Sequence, residues 1–213
     1  MEADKFPFGE AVKFGWSKIK ENFWNLVLIT LIWLAISAVF NSTGKSLEKN
    51  MPMLSFVVNL CGTLVNMVIT LGMIKIGLKI YAGEKFEISE MFYYRREQLL
   101  NYIVASILYF LAVLAGLILL IVPGIILMIR MGLYSYLIVD KKMGIIDSLK
   151  ESMRLTKGNT LDLFLFWFIL LGILLLGFLA LIVGILVAIP VTLLAYVFAY
   201  RYLEQKKRVV VAS

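Results

Sequence analysis

The sequence contains no histidine and one cysteine, Cys61. Without histidine it lacks the commonest zinc ligand, the usual partner of a nucleophilic serine and the side chain that most often moves protons at neutral pH. One cysteine cannot close an intramolecular disulfide, and a thiol inside an apolar run behaves as a small hydrophobe. Charge is scarce too. Only 16% of the 213 residues are Asp, Glu, Lys or Arg, against about 25% in a soluble domain. Acidic residues are the rarer sign, 14 against 21 basic ones. No carboxylate pair lies inside an apolar run, no cluster has metal-ligand spacing and no glycine-rich segment has the form of a phosphate loop. The sequence therefore reads as non-enzymatic, with no cofactor and no metal.

What is present is hydrophobic sequence. Apolar residues make up 62% of the chain and the mean hydropathy is +0.92. They fall in six runs, at residues 23–40, 53–74, 99–122, 124–140, 161–183 and 185–203. A bilayer core needs about 20 helical residues, so these runs predict six transmembrane helices in one integral membrane domain over 1–213. More than twenty residues precede the first run. That favours a retained first helix over a cleaved leader. Pro123-Gly124 and Gly184 are the expected tight turns between the paired spans.

Basic residues set the expected orientation. Lys5, Lys13, Lys18 and Lys20 precede the first span. Lys75, Lys79, Lys85, Arg95 and Arg96 flank the second connection. Lys141, Lys142, Lys150, Arg154 and Lys157 flank the fourth, and Arg201, Lys206, Lys207 and Arg208 end the last span. The opposite side has only Lys45 and Lys49. This asymmetry predicts a cell-membrane protein with both termini cytoplasmic. It also accounts for the net charge of +7 without nucleic acid as a partner.

The cytoplasmic segments resemble one another. Aligned without gaps, EAVKFGWSKIKENFWNLV, SEMFYYRREQLLNYIVAS and DSLKESMRLTKGNTLDLF superpose Asn22, Asn101 and Asn159. Each Asn is followed by a span and a glycine, at Gly44, Gly124 and Gly184. The reading is three helix-hairpin repeats, at about 10–80, 86–140 and 147–203, each opened by an amphipathic helix at the inner interface. The expected apolar faces are Val12, Trp16, Ile19 and Phe23 in the first copy. They are Ile88, Met91 and Phe92 in the second, and Ile146, Leu149, Met153 and Thr156 in the third. Asp147 is the expected N-cap of the third helix, and Gly158 its stop.

Two features inside the spans are ligand or lipid candidates. Arg130 lies within an apolar run, where a charge is costly and functional by default. Counted along a straight helix from Gly124, it sits nearer the outer face, at a depth of about 9 Å. Its alternatives are a snorkelling side chain or a bond to backbone carbonyls. Asn59, Thr63, Asn66 and Thr70 form one stripe of the second span at i, i+4, i+7 and i+11. They either hydrogen-bond a neighbouring helix or line a polar cavity facing Arg130. Tyr196, Tyr200 and Arg201 read as an aromatic and basic belt at the inner interface.

GIILMIRMGLYSYLIVDKKMGIIDSLKESMRLTKGNTLDLF, residues 124–164, resembles the core pattern of prokaryotic six-helix integral membrane proteins of uncharacterised function. Their relatives include the membrane domain fused to some bacterial glycerophosphodiester phosphodiesterases. Pro123-Gly124, Arg130, Asp140 and the run Ser148-Leu149, Ser152-Met153, Leu155-Thr156 and Gly158 carry the likeness, and FGEAVKFGWSKIKENFWNLVLI fits as well. The resemblance implies a membrane module without a catalytic domain. The function expected is a non-enzymatic accessory, scaffold or lipid-interacting module. The alternative is a small permease with a polar cavity near Arg130 and the Asn/Thr stripe. The partners expected are membrane lipid and a membrane protein or a second copy of the chain.

Overall fold

A computed structural model describes residues 6–92 and 95–212. Among these there are nine α-helices and no strand. They are α1 (Phe8–Glu21), α2 (Phe23–Glu48), α3 (Pro52–Ala82), α4 (Arg96–Leu119), α5 (Ile121–Met131), α6 (Tyr134–Lys141), α7 (Ile145–Leu155), α8 (Thr160–Leu179) and α9 (Leu181–Ala212). Six stretches are long and apolar enough to cross a membrane: α2, α3, α4, α5 with α6, α8 and α9 from Val183 to Val209. The chain is an all-α, polytopic membrane protein.

Neighbouring spans pair as antiparallel hairpins, α2 with α3, α4 with α5–α6, and α8 with α9. Large apolar side chains such as Phe110, Ile118, Leu161 and Phe178 remain exposed on the outside. In a bilayer that surface meets lipid, so tight helix contact relies on small residues and hydrogen bonds. α9 is the central strut. Leu194, Val197, Tyr200 and Leu203 are buried on it, and it contributes to two of the three core clusters.

The turns within the hairpins of paired spans differ from expectation. The chain reverses at Leu120, whose backbone is extended, and α5 begins at Ile121. Pro123 falls in the first turn of α5, where backbone N–H groups lack helical partners and a proline costs nothing. Gly124 is a packing residue instead: it lies against Gly116 and Leu117 of α4. The last hairpin reverses at Ala180–Leu181, and Gly184 packs on Gly177. Both glycines mark where helices cross closely, just beyond the turn.

The segments at the basic end differ as well. α1 buries Ala11, Gly15 and Ile19, while Trp16 is half exposed. A Cβ on Gly15 would lie 2.5 Å from the Val191 carbonyl of α9. Ile19 is buried as expected, but close backbone approach selects Ala11 and Gly15 beside it in place of Val12 and Trp16. α7 likewise buries Ser148, Leu149, Ser152, Leu155 and Thr156 and exposes Ile146. Gly144 is its N-cap, and Asp147 sits in the first turn, where it complements the helix dipole. Among the described residues, the middle copy forms a short 3-10 turn, Ile88–Phe92, ahead of α4. Asn22 and Asn159 share nearly the same backbone conformation, each just before a span. Asn101 instead lies inside α4.

Candidate functional site

The fourth span is broken. α5 stops at Met131, Gly132 and Leu133 intervene, and α6 starts at Tyr134. A break at this depth frees backbone groups that lipid cannot satisfy. α7 turns back from the inner end of α6 and supplies the partners. The Ser152 hydroxyl donates to the Arg130 carbonyl at 2.8 Å and accepts from the Leu133 N–H at 3.0 Å. The Thr156 hydroxyl lies 3.1 Å from the same Arg130 carbonyl and 2.9 Å from its own helix at Ser152. Ser148, Ser152 and Thr156, one helical face at i, i+4 and i+8, are wholly buried.

Arg130 takes part through its side chain too. Its guanidinium donates to the Met153 carbonyl at 3.1 Å. Met153 is in the last turn of α7, where carbonyls have no helical N–H and the dipole favours a cation. Arg130 therefore caps α7. It reaches toward the connection between α6 and α8, not toward the outer turn as a straight helix implied. The helix break and the returning α7 explain the difference. The Nε atom of Arg130 is buried and has no hydrogen-bond partner.

The Asn/Thr stripe lies elsewhere. Asn66 Oδ1 accepts from Trp33 Nε1 at 2.8 Å and from Ser37 Oγ at 2.9 Å, both on α2. Asn59 touches Gly44, and its amide lies 3.4 Å from Ser55 Oγ. Thr63 and Thr70 donate back to carbonyls of α3. The stripe binds α2 to α3 and shares no hydrogen-bond partner with Arg130. The structure thus brings the four stripe residues to one hairpin and places Arg130 at another.

Three residues read as an interfacial belt are internal partners. The Tyr200 hydroxyl donates to Asp140 at 2.8 Å, and Arg201 grips both oxygens of that carboxylate at 2.8 and 2.9 Å. Arg201 also bonds Glu204, which pairs with Lys141 and Arg208. Tyr196 is part-buried and packs on Tyr136 of α6. This network ties the end of α6 to α9. The missed signal was the spacing Arg201, Glu204, Arg208, which puts alternating charges on one helical face.

The second connection is anchored by charge. Glu90 pairs with Lys75 at 3.0 Å and with Lys79 at 2.7 Å. Burial alone would raise its carboxyl. The hydrogen bonds from Lys79 and Lys75 outweigh that and, with the Glu87 N–H, lower it from 4.5 to about 2.

These arrangements hold helices at fixed register. The Ser152, Thr156 and Arg130 joint is a lock whose polar groups are turned onto one another, and the Asp140–Arg201 pair is a strap beside it. Arg130, Ser152 and Thr156 build the joint, and Asp140, Tyr200 and Arg201 build the strap. Comparison of the chain with protein-family models, with curated proteins and with solved structures finds no match.

Proposed function

We propose that this is a non-enzymatic, multi-pass module of the cell membrane, an accessory or scaffold that interacts with lipid, with both termini cytoplasmic. The observation that carries the reading is the engagement of its intramembrane polar residues. The Arg130 guanidinium bonds a carbonyl of α7, and the stripe bonds α2. A substrate path needs polar groups that are free to exchange partners, and these have partners already. The exposed apolar belt and the basic inner end suit a protein whose standing ligand is the bilayer.

One observation favours the permease instead. A broken membrane helix beside a charge is how many transporters build a substrate site, and the Arg130 Nε is unpartnered. Native mass spectrometry of the purified full chain separates the two readings. On the accessory reading, Arg130→Ala lowers the thermal midpoint and leaves the complement of retained lipid unchanged. Loss of a bound anion or lipid with an unchanged midpoint would overturn it in favour of a substrate site at Arg130.

A further inference from the structure

A second polar feature lies beside the joint, at the inner end of the molecule. A cavity of about 270 Å³ opens where α6, α7 and α9 meet. Its charged lining comprises Lys141, Glu151, Arg154, Glu204, Lys207 and Arg208. Four cations face two carboxylates, so two positive charges are in excess.

The ion pairs decide which cations remain available. Glu204 is buried and already serves Lys141 at 3.0 Å and Arg208 at 2.6 Å, besides Arg201. Glu151 is taken by Arg154 at 2.8 Å. The bond formed by Lys207 runs to the backbone carbonyl of Arg154, a neutral acceptor. Lys207 thus caps the last turn of α7 as Arg130 does, and Glu151 lies close enough to act on its charge, but its hydrogen-bond acceptor is neutral, so the ammonium keeps a charge to offer an anion at the cavity mouth. Arg154 holds Glu151 through Nε and Nη2, and Arg208 holds Glu204 through Nη2, while both side chains are largely exposed, so the remaining N–H groups of each guanidinium can turn toward a ligand. Two planar forks and a point charge around one concavity match the several acceptor oxygens of a phosphate.

We propose that this cavity is a phosphate-binding site, with Lys207, Arg154 and Arg208 as its ligands. The phosphate belongs to an anionic lipid headgroup or to a soluble phosphate ester. The cavity lies at the charged end of α9, beyond Tyr202, where basic residues of α6, α7 and α9 gather. A lipid source deepens the lipid-interacting reading above and rests on it; the anion site itself does not.

The test uses the full chain purified in a zwitterionic detergent, with Lys207→Gln and Arg154→Gln as variants. Inorganic phosphate is titrated calorimetrically. In parallel, native mass spectrometry reads lipid retained from phosphatidylcholine bilayers doped with phosphatidic acid. The expected result is saturable binding of at least one probe, weakened about tenfold by each variant, the weight of one charge-assisted hydrogen bond, with the ligand-free thermal midpoint of Arg154→Gln unchanged. Phosphatidic acid retained without phosphate binding identifies a headgroup site; phosphate binding alone identifies a soluble ester. If Lys207→Gln does not fold, the exposed Arg154→Gln alone decides. Phosphatidic acid retained equally by wild type and variants would overturn the cavity site and leave the lipid-interacting reading intact. Absence of both probes from wild type would overturn the site and the lipid source together.

Discussion

At the scale of single residues, the joint at Arg130 shows how a membrane protein tolerates a broken helix. The Leu133 N–H and the Arg130 carbonyl would be orphaned in hydrocarbon, and Ser152 meets both. Removing that hydroxyl leaves the N–H without a partner, which costs about 1–3 kcal/mol. Ser152→Ala should therefore lower unfolding stability by that amount, although it removes only one oxygen. Arg130→Met should cost a similar amount through the exposed end of α7. Since both act on the docking of α7, the double variant should lose less than the sum of the singles, read as thermal or denaturant unfolding in one detergent. Strict additivity would mean that the guanidinium and the hydroxyl act independently.

At the scale of elements, short inner segments hold the spans together, and each is held differently. α1 docks by backbone approach. A Cβ at Gly15 would meet the Val191 carbonyl at 2.5 Å and the Ala195 nitrogen at 3.4 Å, both fixed backbone of α9. Gly15→Leu should undock α1 and expose residues 6–21 to limited proteolysis while the spans stay folded. The second connection docks by charge. The Glu90 carboxyl is lowered to about 2 in the fold, from 4.5. A lowered carboxyl contributes stability that is complete above about pH 4.5 and is lost as pH falls toward about 2. The thermal midpoint should fall across that window, and Glu90→Gln should flatten the fall. An unaltered slope in the variant would assign the acid sensitivity to other groups.

At the scale of the whole molecule, most of the charge lies at one end, only Lys45, Glu48 and Lys49 mark the other, and apolar surface covers the spans between. That division was legible in the sequence, because run length and the positions of Lys and Arg are one-dimensional signals. The six spans followed from them. The contact faces of α1 and α7 followed only in part: Ile19, Leu149 and Thr156 are buried as expected, Trp16 and Ile146 are not. Hydrophobic periodicity selects Trp16 and Ile146, whereas packing selects Gly15 and Ser152. In a bilayer the large apolar face has lipid available and the small or hydroxylated face does not. The partner of Arg130 was also hidden, because the break at Gly132–Leu133 has no proline to announce it and only the returning α7 makes it tolerable.

The same one-sidedness predicts an orientation that can be read directly. Lys45 lies near the end of α2, and Lys157 follows α7 at the opposite end of the hairpins. If the basic end is cytoplasmic, a thiol at the first position meets the outer solution and a thiol at the second does not. Cys61 is exposed on the surface of α3, so the labelling background is Cys61→Ala. In intact cells, a membrane-impermeant maleimide should label Lys45→Cys and leave Lys157→Cys unlabelled until the membrane is permeabilised. The reverse pattern would place the ion-pair network, the α7 joint and the basic cavity on the outer side. Their cations would then face away from the anionic cytoplasmic leaflet. The lipid source proposed for the cavity would fail with that result, and a soluble phosphate would be left as its ligand.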